Sequence, residues 1–500
     1  MSDADYLGLG SRLASGPSRL LVETGFHTES RQATYLHGGL GLADLAHVLA
    51  LRDAGALPEP AGARLLAALV NLIEHRPDEL AYDPADGDAY NSREHMLRVR
   101  VGTDAGWLSL GRTRREAGRV AFYLAARTAL LQLHDAVAEF VEVALLRAVG
   151  NLETWWADLT YWQPAQVSTF GHYLLSFAHE AARHLDRIEA AWKRCGLVPV
   201  AAGGVAGTTV PVSRQAYLRR LGLHGAATTS RDAMWSVDGL LDVVFVADQT
   251  AITASRMAED FMIFTSAPFG YVRLDDAHCR ASVYLPQKRN PYALSVVRGG
   301  ASVVAGRASG LVTSVRTASA QSDNWIYNYG EALETVELAG RMAALMGEVL
   351  AKADFDTARM ADLAQDGFTD AADLAERLVA EGHLDYRSAH SLIATLTTAA
   401  EQRGDTRLSA ADYATLAGQT GAAVPPADPR SLVLARAHDG GAAPSQVRAS
   451  AARLRRQLTR RRAWREQVGA AADTAARLLV DEAVTASAAR DLAADRPLRH

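Results

Sequence analysis

Lysine is almost missing from this chain: Lys193, Lys288 and Lys352 are the only three among 52 lysines and arginines. A GC-rich coding sequence writes arginine wherever either residue serves. Each surviving lysine therefore draws attention to a place where a compact ammonium does what a planar guanidinium does not. Cysteine is scarce too. Cys195 and Cys279 lie far apart and form no metal-ligand spacing, and two are too few for a secreted disulfide framework, so a reducing cytosol is expected. There is no run of 18 apolar residues, and the opening MSDADYLGLGSRLASG lacks the apolar stretch of an export signal. A membrane span is therefore not expected, and a cytoplasmic location is. Nor is there a basic excess: 52 basic residues against 57 acidic ones give a net charge of −5, which argues against nucleic acid or an anionic membrane as partner.

What is present is an ordinary globular balance, 49% hydrophobic and 22% charged over 500 residues. That length predicts two or three structural units. Arg119 to Val149, His172 to Cys195 and Leu240 to Ala267 are free of glycine and proline and predict long helices of roughly 36 to 46 Å. Leu130, Leu133, Ala136, Val137 and Phe140 recur at the spacing of one buried helix face. Alternating patterns bounded by turn residues are scarce, so the chain reads as all-α with a central bundle. Composition divides it into a mostly helical N-terminal unit (1–115), a long-helix unit (116–360), a small unit of short helices (361–456) and an Arg/Ala-rich helical extension (457–500). The basic stretch from Arg453 to Arg465 reads as a solvated helix face or subunit contact. His172 and His179, on a long apolar helix, read as packed or interface residues.

Chemistry concentrates in DDAHCRASVYLPQKRNP, residues 275–291. Asn290-Pro291 is expected to open a helix, with Asn290 as N-cap and Pro291 at the first helical position. The free N–H groups there, beside Lys288 and Asn290, would attract a carboxylate. A plain loop followed by a capped helix would look the same.

LPQKRNP closely resembles the GSSxMPxKxNP signature loop of the aspartase/fumarase superfamily. The wider stretch TSAPFGYVRLDDAHCRASVYLPQKRNPYALSVVRG resembles its argininosuccinate lyase branch. ADLAHVLALRDAGALPEPAGARLLAAL (43–69), GTDAGWLSLGRTRRE (102–116), LTYWQPAQ (159–166), GFTDAADLAERLVAEGHLDYRSAH (367–390) and DPRSLVLARAHDGG (428–441) extend the likeness in order over residues 40 to 450. The resemblance implies a three-domain, mostly helical fold whose long central helices form a tetramer core, with sites shared between subunits. It also implies a dicarboxylate substrate, no metal or organic cofactor, and anti elimination of an amine or hydroxyl to give fumarate. Ser282 falls at the base position, and Lys288 and Asn290 at a carboxylate. Thr113 and Arg114 match a second carboxylate clamp, where Arg114 could bind in bidentate fashion. Thr160 and Gln163 fall on a further dicarboxylate-binding segment, and Asn91 and Ser92 are additional candidates. Glu331 resembles a carboxylate that orients site groups.

Several positions depart from the pattern. The family's catalytic histidine is Tyr161 here, an acid of unperturbed pKa near 10. The clamp asparagine is Arg115, Gly-Ser-Ser has become Ala281-Ser282-Val283, and another family histidine is Tyr90. His278 is either a substitute proton donor or a surface histidine of a mobile loop. Trp325, Tyr327 and Tyr329 replace the polar stretch that would hold a guanidinium. These changes point to a C–N lyase of specialised metabolism acting on an N-substituted aspartate with a bulky or aromatic amine, in either direction. An altered elimination or cyclisation, and an inactive structural or regulatory homologue, are the alternatives.

Overall fold

The computed structural model describes residues 13–223, 225–319, 327–382, 384–421 and 424–494. Helices dominate, and among these residues the β-structure is four two-stranded pairs and an isolated bridge between Arg112 and Gly203. The N-terminal unit is built from α1 (Ala33–Asp53), α2 (Glu59–Glu74) and α3 (Ala89–Val101). At its base Asp44, fully buried, accepts from Arg93 at 3.1 Å and Arg112 at 2.6 Å. Such a triad tolerates burial only because every charge has a partner.

Five long helices follow: α4 (Arg114–Gly150), α5 (Phe170–Arg194), α6 (Asp238–Phe264), α7 (Tyr292–Ser314) and α8 (Tyr329–Lys352). All three glycine- and proline-free runs lie within or across them. Leu130, Leu133, Val137 and Phe140 are buried as their spacing predicts, with Ala136 half-buried. Thr113 caps α4 by accepting from Glu116 N at 3.3 Å, and Thr169 caps α5 by accepting from His172 N at 3.0 Å.

Side-chain pairings fix the helix directions. Tyr329 stacks on Phe122, and Arg147 donates to the Ala353 carbonyl, so α8 runs parallel to α4. Gly239 lies against Tyr123 and Phe264 beside Trp156, so α6 does the same. Trp192 lies under the Arg127 guanidinium at 3.6 Å, near the start of α4, while Gly171 packs on Ala148, so α5 runs the other way. The ion pair Arg298–Glu259 and the bond from Asn328 to Ser314 likewise orient α7 against α6 and α8. Three helices therefore rise and two return between the same two ends.

A smaller apolar cluster around Leu374, Leu378, Ile393 and Leu416 joins α9 (Ala371–Ala380), α10 (Tyr386–Gln402) and α11 (Ala410–Thr420). The described residues end in α12 (Pro444–Ala494), 51 residues long. The change of composition at residue 457 thus falls inside one unbroken helix, because alanine and arginine are both good helix formers. Arg453, Arg455, Arg456 and Arg460 of the arginine stretch face solvent, as expected, while the stretch also pairs within the chain. Arg455 and Arg462 pair with Glu142, Arg461 with Asp186 and Glu189, and Arg465 with Asp135, so it docks α12 on α4 and α5. His172 and His179 bond to the Gly440 carbonyl and Ser450 hydroxyl. Among the described residues no helix is long and apolar enough to cross a membrane.

Candidate active site

Two ends of the bundle carry the candidate residues. At the first, Thr113, Arg114 and Arg115 open α4 next to the start of α3. Asp88 caps α3 through Asn91 N at 2.9 Å and holds Arg114 at 3.1 Å. Between the two helix starts is a cavity of about 570 Å³, open mouth included, lined by Asp88, Tyr90, Arg114, Arg115, Met234 and Tyr329 among others. Burial pushes the Tyr90 and Tyr329 hydroxyls up, that of Tyr329 to about 12. Both are therefore hydrogen-bond donors, not phenolates, at neutral pH. Next to the clamp, Glu116 is buried and accepts from Ala202 N at 3.0 Å; burial raises its carboxyl to about 7. Asn91 packs over Gly87. Ser92 is fully buried and donates to the Asp83 carbonyl at 3.2 Å, so its hydroxyl faces the core and not the cavity. Tyr327 brings its hydroxyl against Gly25, and Glu331 pairs with Arg307 at 2.8 Å. Trp325 lies outside the described residues.

The second end carries a feature the sequence reading missed. LTYWQPAQ lies in a hairpin of β1 (Trp155–Thr160) and β2 (Gln163–Thr169), paired from Trp155 with Thr169 to Thr160 with Gln163. Tyr161 and Trp162 form its two-residue turn with φ of +53° and +61°. Such a turn normally takes Asn-Gly, so no sequence signal announced it, and two aromatic residues hold it under strain. Tyr161 is 97% exposed. A cavity of about 380 Å³, open space included, lies behind the turn, lined by Trp156, Asp158, Trp162, Tyr173 and Asp260. Asp260 accepts from the Tyr173 hydroxyl at 2.9 Å, and burial raises both carboxyls above their ordinary range.

The signature loop is also at this end, between β3 (Arg280–Ala281) and β4 (Arg289–Asn290). Ser282 Oγ accepts from Leu285 N at 3.0 Å and Tyr284 N at 3.3 Å, while Ser282 N donates to the Lys288 carbonyl at 3.1 Å. Two N–H dipoles aimed at one hydroxyl oxygen favour its alkoxide. Lys288 is exposed, as are Val283 and Tyr284 at the loop tip.

Two readings need correction. Asn290 is not the N-cap: α7 begins at Tyr292 with Pro291 in that place, and the Asn290 carboxamide instead donates to the Arg280 carbonyl across β3–β4 at 3.0 Å. His278 is not a surface histidine. The turn Asp276–His278, capped by Asp275, directs it inward to 5% exposure, 3.6 Å from Glu348. That is too long for a hydrogen bond. It sits at the root of the loop.

The structure thus sorts the candidates into two groups. Thr113, Arg114, Arg115, Asn91 and Tyr327 come to one end, and Thr160, Tyr161, Gln163, Ser282, Lys288, Asn290 and His278 to the other. The 37 residues of α4 separate the ends by about 55 Å. The two cavities share no lining residue, and the Ser282 loop lines neither. Sequence reasoning missed Asp88, whose Asp-x-x-Asn spacing is an N-cap signal. It also missed Met234, brought in from a distant segment with no local signal.

The family described as Lyase matches residues 27–306. An argininosuccinate lyase of Mycobacterium leprae is 32% identical over 90% of this chain and 98% of its own. The chain belongs to the argininosuccinate lyase-like branch of the aspartase/fumarase superfamily. The argininosuccinate lyase of Methanoculleus marisnigri is 31% identical over 88% of this chain and 92% of its own. An EDDS lyase solved with formate superposes with a TM-score of 0.82 at 25% identity, covering 95% and 96% of the two chains. A class II fumarase from Schistosoma mansoni shares the fold, with a TM-score of 0.67 at 14% identity over 77% of this chain and 88% of that one.

Proposed function

We propose that the protein is a C–N lyase that removes an amine from an N-substituted aspartate by anti elimination, releasing fumarate, or runs the same reaction as an addition. The observation that carries this reading is Ser282 Oγ, which accepts two backbone N–H bonds on the same short loop as Lys288. A serine becomes a base only where its alkoxide is stabilised. The alkoxide takes the proton from the carbon beside one substrate carboxylate, and the C–H electron pair moves into an aci-carboxylate dianion. The pair then returns to form C=C as the C–N bond breaks, and the amine leaves with a proton from an acid on the opposite face. Lys288 and the start of α7 offset the dianion, and Thr113 and Arg114 hold the other carboxylate, with Arg115 adding a cation. Thr160 and Gln163 bind from the hairpin. Tyr161 is the acid candidate, and His278, buried at the loop root, serves the loop rather than the substrate.

The separation of the two ends supports a shared site. A dicarboxylate spans a few ångströms, so a clamp and a base about 55 Å apart meet over one substrate only when they come from different chains. Exposed apolar residues at heptad spacing, Phe245 and Ile252 on α6 and Val296 and Val303 on α7, offer the surface for that association. The assembly is a homotetramer, to be checked as a light-scattering mass near four times 53.5 kDa. Specialised metabolism in the cytoplasm suits the altered residues. The test is a panel of N-substituted aspartates with fumarate followed by its ultraviolet absorbance, alongside argininosuccinate, which should be a poor substrate.

A further inference from the structure

Gly118 lines the clamp cavity at a place where the fold itself does not require glycine. Four residues after Arg114 and three after Arg115, it lies on the same face of α4, one turn further in. At some helix positions glycine is dictated by packing: a Cβ at Gly39 would come within 2.6 Å of the Ala121 carbonyl, and one at Gly239 within 2.7 Å of the Tyr123 ring. A Cβ at Gly118 would meet nothing within 4 Å. A glycine inside a helix forfeits stability relative to alanine, and what this one leaves in exchange is space. The apolar part of its wall includes Leu36, Leu40, Met234 and Tyr329, the last fixed by stacking on Phe122 at 4.4 Å. Among the charged residues lining the cavity, Arg114, Arg115 and Arg119 outnumber Asp88 and Glu29, which disfavours a cationic tail.

We propose that this cavity holds the amine half of the substrate, that this half is an uncharged aromatic or branched-alkyl group, and that Gly118 sets its permitted size. The proposal rests on the elimination reading above, because it places the substrate carboxylate at Arg114 and so aims the amine substituent along α4.

The experiment compares N-benzyl-aspartate with N-methyl-aspartate, in wild type, Gly118→Ala and Gly118→Val, by fumarate release and by calorimetric binding to the intact oligomer. The wild type should prefer the benzyl adduct. Gly118→Val should lower the benzyl-to-methyl ratio of kcat/KM by about tenfold or more, with Gly118→Ala between them although it stabilises the helix. A purely structural glycine would leave the ratio unmoved, and that result, or a wild type that prefers the methyl adduct, overturns the proposal. If neither adduct releases fumarate but Gly118→Val still selectively loses binding of the benzyl adduct, the cavity assignment stands and the elimination reading falls. If binding shows no such selectivity either, both fall.

Discussion

Arg114→Ala and Ser282→Ala should each be inactive alone and should rescue one another when mixed. Arg114 opens α4 and Ser282 lies on the loop at the other end of the bundle, about 55 Å away along a 37-residue helix. If a site takes its clamp from one chain and its base from another, random assembly of equal amounts leaves about a quarter of the sites with both native residues. If a site used both residues of one chain, every site would carry one lesion. The assay is to co-refold or co-express the two variants, confirm mixed oligomers by native mass spectrometry, and measure fumarate release against wild type. Recovery near one quarter is expected. Mixed oligomers with no more activity than the two parents would refute the shared site, however well the single variants behaved.

Three further outcomes follow from individual residues. Lys288→Arg should lower turnover by about a hundredfold or more, the scale of displacing one aimed donor from a developing anion, while Lys193→Arg and Lys352→Arg should be silent in the same kinetic assay; Lys352 pairs with exposed Glu348 at 2.7 Å. Tyr161→Asn should stabilise the fold by about 1 kcal/mol of relieved strain at a positive φ that asparagine tolerates, read as a higher melting temperature, and should lower kcat if the phenol is the acid. Glu116 has a folded pKa raised from 4.5 to about 7 by burial. Its contribution to stability is therefore complete below the unfolded value and lost as pH rises through about 7, a total of roughly 3 kcal/mol. Glu116→Gln should accordingly gain stability over wild type between about pH 5 and 8, and a difference in thermal unfolding that stays constant with pH would contradict this.

The long helices were legible because their apolar stripes and their lack of glycine and proline are local properties, and Arg114–Gly150 follows the run that announced it. The signature loop was legible as chemistry, since SVYLPQKRN places Ser282, Lys288 and Asn290 within nine residues. Three things were not legible. The hairpin at Tyr161-Trp162 lacks turn residues, so tertiary packing of Trp156 against Phe170, Tyr173 and Phe264 imposes it. The inward turn of His278 depends on Asp275 capping a single turn, which moves the ring from one side of the chain to the other. The docking of α12 through Arg461 and Arg465 depends on acidic partners some 270 to 330 residues earlier in the chain, and composition alone reads such a stretch as a solvated face.

Fumarate release is the most direct measure of the central claim. Given a panel of N-substituted aspartates, the wild-type protein should release fumarate with at least one bulky, uncharged amine, faster than with argininosuccinate, and Ser282→Ala should abolish the signal. No fumarate from any member, and no adduct when fumarate and the corresponding amines are supplied in the reverse direction, would contradict it.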